Sequence, residues 1–462
     1  MDLDTAIPTR SRIRLLPPMA PIYATLFFMG NRQSPAQTYR IDAGGAVQLL
    51  TGVKEQTPAV LLEYGIRDSV DSERLRVATE RALDVFRLFR MRLTLDVTGT
   101  PVYEPNPAAV DVYPYDGKMH FFGKESNGFL FRVYHDGNRI LLSISHVLTD
   151  FAGAREFMKC ILCFYFNIAG GDPAEIRKLL EVDPDDTRDP YTLYGDPEAR
   201  SYSMAGRWHN GLVVPSTIRY RQGETITVHD VSFHVQDFIR ISRHAESSVF
   251  PLLTWMTGNA LVETYGGEDC VVTGAGSFNC RHMFSSRTPL NFSQTFVTVL
   301  DPREKNMDPD SRLTVQRARM DLELEKGTIA RSIASRRDTA ERMMANAREY
   351  AMDQDKRDAE RRAFALRSTY FITYVGHIDV GADLEQHIDD VRVMGTVTRV
   401  PTVIYAFERG GHLTLRTLEV GCGKSIAPAL LEIARAQGID GMIAGSFGRQ
   451  MDTFPLEDLF SN

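Results

Sequence analysis

Residues 139–154 read RILLSISHVLTDFAGA, a stretch in which strand-like spacing gives way to helix-like spacing. Apolar residues alternate from 140 to 144, which predicts a strand with one buried face. After Gly153 the apolar residues recur at the spacing of a helix, so the period changes within a few residues. His146 and Asp150 therefore lie in the connection between the end of a strand and the start of a helix.

The position of His146 is typical of a general base. A strand end is a rigid mount, and the loop that follows it is open to solvent and substrate. A neutral imidazole can accept a proton near pH 7. A histidine four residues before an aspartate is nonetheless a common pattern, and most such histidines are surface or hydrogen-bonded core residues. Asp150 has its own alternative, because an aspartate in this position also caps helices.

The first third of the chain alternates between strand and helix signals. Residues 58–64 predict a buried strand, and Ser72 is a candidate N-cap for a helix that runs to about Phe89. Residues 129–134 and 139–145 flank an Asp-Gly-Asn turn, and Asp-Gly between apolar runs is a strong hairpin signal. The order strand, helix, strand, hairpin, helix predicts an α/β or α+β fold.

The second half of the chain repeats this order of elements after a polar stretch. A strand-like run at 270–277 follows two helical runs, and a second hairpin is predicted across 402–418. We therefore expect an N-terminal half at 1–175 and a C-terminal half at 216–462, joined by a crossover at 176–215.

The spacing His146-x-x-x-Asp150, about a third of the way along the chain, resembles the active-site motif of the chloramphenicol acetyltransferase-like superfamily. That superfamily includes the condensation domains of peptide synthetases and the alcohol acetyltransferase-like proteins. Weaker similarities to its members extend over both halves, at Tyr39–Ala46, Phe278–Arg281, Pro289–Phe292 and Thr369–Gly376. The chain departs from the family at two positions of the motif. Ser145 stands where many members have a second histidine, and Phe151 stands where glycine is usual.

The resemblance implies a fold and a reaction. Members have two similar halves, each a mixed sheet with flanking helices, and the active-site tunnel runs between them. An acyl thioester of coenzyme A or of a carrier protein is the co-substrate, and no cofactor is bound permanently. The acceptor is a small molecule with a hydroxyl or amino group. His146 is then expected to act as the general base that takes the proton of the acceptor.

The resemblance also implies roles for residues around His146. Asp150 and Arg281 are expected to form an ion pair between the halves that supports the catalytic loop. Contacts with the substrate or with the oxyanion are expected from Ser145, Phe151, Asn291, Thr373 and Tyr374. Phe151 in place of glycine implies a narrower tunnel, and Tyr374 in place of the family's asparagine implies a change in substrate polarity.

Composition limits the other classes of function. The chain has 462 residues and a formal net charge of −7, which argues against nucleic acid as the main partner. It lacks the uninterrupted apolar run of ~20 residues that a membrane span needs. Five scattered cysteines predict neither a disulfide framework nor a metal site, and they suit a reducing cytoplasm. We expect a monomer rather than an obligate oligomer.

One nucleotide-binding motif is incomplete. Residues 421–425 read GCGKS, lie between a predicted strand and a predicted helix, and match the end of a phosphate-binding loop. The full pattern needs a glycine five residues before Gly423, and Leu418 stands there. The sequence therefore favours a plain strand-to-helix turn at this place.

Three functions fit these observations. The first is an acyltransferase that moves an acyl group from a thioester to an alcohol or amine acceptor. The second is a non-catalytic member of the same fold that binds a thioester or a carrier protein. The third is a condensation-type enzyme that joins two carrier-bound substrates. The motif and its setting favour the acyltransferase.

Overall fold

The structure is a computed structural model that describes residues 38–51, 58–119, 126–200, 211–214, 225–266, 269–353, 355, 368–396 and 400–451. These residues form three β-sheets with helices packed on them. The strands are β1 (Tyr39–Arg40), β2 (Ala59–Ile66), β3 (Met91–Leu95), β4 (Pro101–Pro105), β5 (Val112–Pro114), β6 (Lys118–Met119), β7 (Phe131–Asp136), β8 (Arg139–Ser145), β9 (Thr225–His234), β10 (Val272–Asn279), β11 (Ser293–Leu300), β12 (Tyr370–His377), β13 (Ile388–Gly395), β14 (Thr402–Arg409), β15 (His412–Val420) and β16 (Gly441–Met451).

Helices pack on both large sheets. The helices are α1 (Ala43–Thr51), α2 (Ser72–Val85), α3 (Phe151–Tyr165), α4 (Pro173–Leu179), α5 (Pro190–Tyr194), α6 (Val235–His244), α7 (Val249–Tyr265), α8 (Arg281–Phe284), α9 (Pro309–Glu323), α10 (Lys326–Ala345), α11 (Ala347–Met352), α12 (Ala382–Glu385) and α13 (Ala427–Ala436). α2 and α3 pack together beside the first large sheet, and α7 and α13 pack together on the second.

The five-stranded sheet has the order β13-β2-β8-β7-β5 and delivers His146 at the end of β8. β7 and β8 form the predicted hairpin, with Asp136 opposite Arg139 and Gly137 in the turn at a φ of +57°. β2 pairs antiparallel with the other side of β8. Because β8 has a neighbour on each side, its last residue, Ser145, is a rigid end point.

The eight-stranded sheet has the order β11-β10-β12-β14-β15-β9-β16-β6. β10, β12 and β14 run parallel, whereas β14 and β15 form the second predicted hairpin and pair antiparallel. Both large sheets are therefore mixed and carry flanking helices. The predicted fold class, α/β with two such halves, is confirmed. A three-stranded sheet of order β1-β4-β3 is an addition that the sequence does not predict.

Each large sheet contains a strand from the other half of the chain. β13, from the second half, pairs with β2 of the first sheet, and β6 pairs with β16 of the second. Val391, Val393 and Met394 of β13 are buried in the core, so this strand is an integral part of the first sheet. The sequence does not predict β13. The division of the chain at the polar crossover stays a prediction, because the exchanged strands link the two sheets.

α2 begins and ends slightly earlier than the sequence predicts. Its N-cap is Asp71, whose carboxylate accepts a hydrogen bond from the Arg74 N–H at 3.0 Å, so the prediction of Ser72 as the cap is wrong. The helix ends at Val85 rather than Phe89, because a separate 3₁₀ turn follows it. The negative carboxylate of Asp71 is a stronger acceptor than the hydroxyl of Ser72 for the free N–H groups of the first turn.

Phe157 of α3 lies at the centre of the first core. Its ring centroid is 5.4 Å from that of Phe86, 5.0 Å from that of Phe89 and 5.2 Å from that of Phe131. All three pairs meet edge to face, a geometry that adds about 0.5–1.5 kcal/mol per pair to the burial of the rings. The helix that follows the His146 loop is thereby anchored in the core.

None of the helices in the described part of the chain is long and apolar enough to cross a membrane. α7 is apolar but has 17 residues, fewer than the ~20 that a span needs. Within the same described residues, no three His, Cys, Asp or Glu side chains come together as metal ligands. The five cysteines are free thiols, and burial raises the pKa of Cys163 to about 11, so this thiol is protonated at neutral pH.

Candidate active site

The loop that carries His146 is held by both large sheets. The His146 N–H donates to the Pro58 carbonyl at 2.8 Å, and Pro58 directly precedes β2. The His146 carbonyl accepts from the side-chain amide of Asn291 at 2.8 Å, and Asn291 lies just before β11. Both hydrogen bonds use the backbone of His146, so its position is fixed independently of the imidazole. The side chain itself is half-buried.

Asp150 is the N-cap of α3 and at the same time the partner of Arg281. Its Oδ1 accepts from the N–H groups of Ala152 and Gly153 at 3.1 and 3.2 Å. Arg281 donates from Nη1 to Oδ2 and from Nη2 to Oδ1, both at 2.9 Å. The Phe292 N–H also donates to Oδ2, at 2.8 Å. Helix cap and ion pair, the two alternatives for this residue, are thus combined in one carboxylate.

The Asp150 carboxylate is ionised although it is buried. Its side chain is 6% exposed, and that of Arg281 is 7% exposed. Burial by itself raises the pKa of a carboxyl group. Here the Arg281 guanidinium and the hydrogen bonds from Phe292 and Gly153 outweigh the burial, and they hold the pKa of Asp150 below its usual value. Such a bidentate pair combines charge with fixed geometry, which makes it one of the stronger ionic contacts.

Arg281 and the His146 loop both form hydrogen bonds with the segment that precedes β11. Nη2 of Arg281 donates to the Leu290 carbonyl at 2.5 Å. The Thr149 hydroxyl, from the His146 loop, donates to the Pro289 carbonyl at 2.6 Å. The segment is therefore bound on one side by a residue of the second half and on the other by the loop of the first half.

Two glycines allow the backbone to pack closely around the loop. A Cβ atom at Gly153 would lie 2.1 Å from the Pro289 carbonyl oxygen and 2.1 Å from Oγ1 of Thr149. A Cβ atom at Gly45, in the first turn of α1, would lie 2.2 Å from the Val147 carbonyl oxygen. The two carbonyl oxygens, of Pro289 and Val147, are backbone atoms that cannot rotate away. Any larger residue at either position would push the His146 loop out of place.

Gly153→Ala is expected to destabilise the protein by about 1–3 kcal/mol, the usual cost of overpacking a filled core. The added methyl group meets the Pro289 carbonyl, so the start of α3 and the segment before β11 must separate. Denaturant unfolding of both proteins measures the difference. Gly65→Ala is the matched control, because its Cβ would meet its nearest atom at 3.4 Å, an ordinary contact. Equal stabilities of the two variants would contradict this account.

A cavity of about 600 Å³ opens beside His146. Its wall is built from both large sheets, by β2 and β13 of the five-stranded sheet and by β10, β11, β12 and β14 of the eight-stranded sheet. α3 contributes Phe151 and Ala152, and α10 contributes Arg336. Small-molecule sites commonly have volumes of about 300–1,000 Å³, so the cavity has the size of a substrate pocket.

Most of the site residues that the sequence suggests come together at this cavity. Its wall includes His146, Asp150, Phe151, Thr373 and Tyr374. Phe151 is the first residue of α3 and is half-buried, and the other aromatic residue, Tyr374, comes from β12 of the second sheet. The cavity therefore brings residues from distant parts of the sequence to the side chain of His146.

Ser145 and Asn291, two of the residues expected to contact the substrate or the oxyanion, lie behind the His146 loop. Neither residue lines the cavity. Ser145 is fully buried at the end of β8, and its Oγ accepts from the Val147 N–H at 3.1 Å. Asn291 is 3% exposed and uses its amide for the His146 carbonyl. Both side chains point to the core at these positions of the backbone, and both stabilise the His146 loop through these hydrogen bonds.

Tyr374 has its hydroxyl engaged within the site. The hydroxyl donates to the carboxylate of Glu408 on β14. Burial, followed by the nearby Glu408 charge, raises the pKa of Tyr374 above its ordinary value. The phenol is therefore protonated at neutral pH, and its proton is already directed at a carboxylate.

Several polar residues of the cavity wall are not suggested as site residues by the sequence analysis, and four of them are relevant here. These four are His282, Gln294, Arg336 and His377. Gln294 and His377 lie within two residues of the segments that resemble the superfamily, so proximity to a motif was the available signal. Arg336 lies in a charged helical run in which no spacing distinguishes one arginine from the others.

The turn at 421–425 binds a carboxylate of the chain itself. The Ser425 hydroxyl donates to Oε2 of Glu419 at 2.6 Å, and the Ile426 N–H donates to Oε1 at 3.0 Å. These are the kinds of donors that a phosphate uses at a helix start. Glu419 already occupies these donors, and the turn lies between β15 and α13, where the sequence predicts it.

No protein-family model matches this sequence, and no curated protein is similar to it in sequence. Similarity is found with solved structures instead. Polyketide synthase associated protein 5 from Mycobacterium tuberculosis is 12% identical, with a TM-score of 0.59 over 87% of this chain and 98% of that one. TRI101 of F. sporotrichioides, solved with coenzyme A and T-2, is 11% identical, with a TM-score of 0.56 over 88% of this chain and 100% of that one.

A third similar structure is that of the nonribosomal peptide synthetase FmoA3. It is 12% identical to this chain, with a TM-score of 0.56, and the match covers 88% of this chain but 45% of the larger synthetase. At these identities the likeness shows the fold and nothing finer. The chain therefore shares with these structures a two-lobed fold built from mixed sheets and flanking helices.

Proposed function

We propose that this protein is an acyltransferase that moves an acyl group from a thioester to an alcohol or amine, with His146 as the general base. The proposal rests above all on one observation. The half-buried His146 lies on the wall of a cavity of about 600 Å³ that both sheets line. The backbone of His146 is fixed from both sides, so the imidazole is attached at a defined point of the cavity wall.

The chemistry needs no covalent enzyme intermediate. His146 takes the proton of the acceptor hydroxyl or amino group while the acceptor oxygen or nitrogen attacks the thioester carbonyl. The new bond from carbon to oxygen or nitrogen forms a tetrahedral intermediate with a negative oxygen. Collapse of this intermediate breaks the carbon–sulfur bond, and the protonated imidazole returns the proton to the leaving thiolate. The products are the ester or amide and the free thiol.

The negative oxygen of the intermediate requires a hydrogen-bond donor. Thr373 and Tyr374 are the cavity residues with hydroxyl groups that the sequence suggests for this role. The Tyr374 proton is directed at Glu408, so Thr373 is the better candidate of the two. Asp150 and Arg281 are positioning residues in this proposal, since their charged groups bind each other and the backbone of the loop.

The donor is proposed to be an acyl thioester of coenzyme A or of a carrier protein. One similar structure, TRI101 of F. sporotrichioides, was solved with coenzyme A, and another belongs to a peptide synthetase. These two relatives support the two donor types, and the cavity beside His146 takes the reacting ends of donor and acceptor. No resident cofactor has a part in the reaction.

A thiol-release assay tests the proposal. The purified protein is mixed with acetyl, butanoyl or longer acyl thioesters of coenzyme A, and separately with carrier-bound thioesters, in the presence of simple alcohols and amines. We expect free thiol and the acylated acceptor to appear together and to depend on the acceptor. Release that needs a carrier on both substrates identifies a condensation-type enzyme. Binding of thioester without release in every combination identifies a non-catalytic member of the fold and contradicts the proposal.

A further inference from the structure

We infer that Arg336 and Gln294 form a binding site for a carboxylate group carried by one of the substrates. This inference deepens the proposed function and relies on it only in naming the ligand as a substrate. Both side chains belong to the wall of the cavity that contains His146. The site would make the enzyme select an acceptor, or an acyl group, that bears a carboxylate at a distance from the reacting atom.

Gln294 presents an unused hydrogen-bond donor. The residue, on β11, is 2% exposed and lines the cavity. Its Oε1 accepts from the Ser332 hydroxyl at 3.3 Å, whereas its Nε2 has no hydrogen-bond partner among the described residues. A buried amide N–H without an acceptor is costly. The atom itself is buried behind the cavity wall, and a small rotation of the amide toward the cavity would let a ligand oxygen remove that cost.

Arg336 adds a positive charge to the cavity wall from the helix that contacts Gln294. It follows Ser332 by four residues on α10, so the two side chains lie on the same face of the helix. Because Ser332 donates to Gln294, that face is the one that meets β11. The Arg336 guanidinium is half-buried, with the Tyr191 ring centroid 6.0 Å away, and it forms no ion pair with any described carboxylate.

Arg155 and Asp150, two other charged residues of the cavity wall, contrast with Arg336 because both are paired within the protein. Arg155 forms ion pairs with Glu156, at 3.0 Å, and with Glu181. Asp150 is neutralised by Arg281. Arg336 is therefore the cationic side chain of the described cavity wall whose charge is not balanced by a protein carboxylate.

A carboxylate fits these donors better than a neutral group does. The planar guanidinium offers two parallel N–H groups that match the two oxygens of a carboxylate, and the amide N–H adds a third donor. The half-buried setting strengthens each contact, because water screens the charge only in part. A neutral hydroxyl or ester would leave the guanidinium without a counter-charge.

The test compares molecules that differ in one carboxylate. Acceptors are 6-hydroxyhexanoate and 6-aminohexanoate, each beside its primary amide, with the acetyl thioester of N-acetylcysteamine as a donor that lacks every phosphate of coenzyme A. Donors are the succinyl and butanoyl thioesters of N-acetylcysteamine, used with a neutral acceptor. Initial rates of thiol release give kcat/KM. Calorimetric binding of the two acids and their amides to the protein without donor gives a readout that does not require turnover.

We expect the carboxylate compound of one pair to be favoured about 10–100-fold, in binding or in kcat/KM, and Arg336→Gln to abolish this preference. Gln294→Leu, which keeps the side-chain volume, is expected to weaken it. Arg337→Gln is the matched control, because that neighbouring arginine pairs with Asp338 and does not line the cavity. A preference among acceptors assigns the site to the acceptor, and a preference for succinyl assigns it to the acyl group.

Three results would overturn the inference. One is equal binding and equal rates for acids and amides and for succinyl and butanoyl donors. The second is a preference that survives in Arg336→Gln. The third is an effect of this variant seen only with coenzyme A donors, which would assign the guanidinium to a phosphate. Selective binding of an acid without any turnover supports the site and counts against the acyltransferase. Turnover without selectivity would support the acyltransferase and count against the carboxylate site.

Discussion

His146→Ala is expected to lower kcat for acyl transfer by about 10²–10⁴-fold and to leave the melting temperature near that of the wild type. The two hydrogen bonds that fix this position use the backbone N–H and carbonyl, which alanine retains. Only the imidazole is lost, and it is half-buried on the cavity wall. Initial rates of thiol release, together with thermal unfolding of the same preparations, separate loss of chemistry from loss of fold.

Two other histidines make a stringent control for this prediction. His282, on α8, and His377, at the end of β12, also line the cavity, but both are exposed. Replacing either by alanine is expected to change kcat far less than the loss of His146. Wild-type turnover in His146→Ala, or an equal loss in His377→Ala, would assign the proton transfer to another group.

The sequence predicted the elements around the site because they are local. The strand before His146, the hairpin turn and the helix after Gly153 each depend on spacing within about ten residues, which periodicity detects. β13 escaped detection since its burial comes from pairing with β2, more than 300 residues earlier. Pairing between distant strands leaves no signal in a local window, and so the exchange of strands between the sheets became visible only in the structure.

Residue identity was a weaker guide to the roles of side chains. The motif resemblance suggested an ion pair between Asp150 and Arg281, and in the structure their charged groups are 2.9 Å apart. It also suggested Ser145 and Asn291 as contacts, although both face the core. In a strand a shift by one residue reverses the direction of a side chain, and in a loop no period exists at all. Arg336 lies in a helix whose cavity-facing side depends on its packing.

Breaking the Asp150–Arg281 ion pair is expected to cost about 3–5 kcal/mol of the free energy of unfolding and to lower kcat in the same variants. Asp150→Asn leaves the buried guanidinium without a counter-charge, and Arg281→Met leaves the buried carboxylate without one. Asparagine still caps α3 through its side-chain oxygen, so the loss in that variant reports on the ion pair rather than on the cap. Denaturant unfolding and thiol release measure the two effects.

The pH dependence of this loss has a defined sign. The pKa of Asp150 is lower in the folded protein than in the unfolded chain, where it is about 3.9. The stabilisation is therefore fully present above that unfolded-state value and disappears as the pH falls through the lower folded-state pKa. The stability difference between wild type and Asp150→Asn is expected to stay constant from about pH 5 to pH 8 and to shrink below about pH 4.

An exposed ion pair provides the control for burial. Arg67 and Asp389 lie 3.4 Å apart, but their side chains are 63% and 53% exposed. Water and salt screen such a pair, so Arg67→Met is expected to leave the unfolding free energy almost unchanged. A loss in this variant as large as that in Arg281→Met would mean that removal of an arginine side chain, rather than of a buried charge, is being measured.

The double variant Asp150→Asn/Arg281→Met decides whether the two residues act as one unit. If each single change exposes the same missing interaction, the double variant loses less stability than the sum of the two single losses. The same rule applies to kcat, because both changes release the His146 loop from the segment before β11 through the same contact. Additive losses would show that Asp150 acts as a helix cap alone and that Arg281 stabilises only its own segment, through its bonds to Thr288 and Leu290.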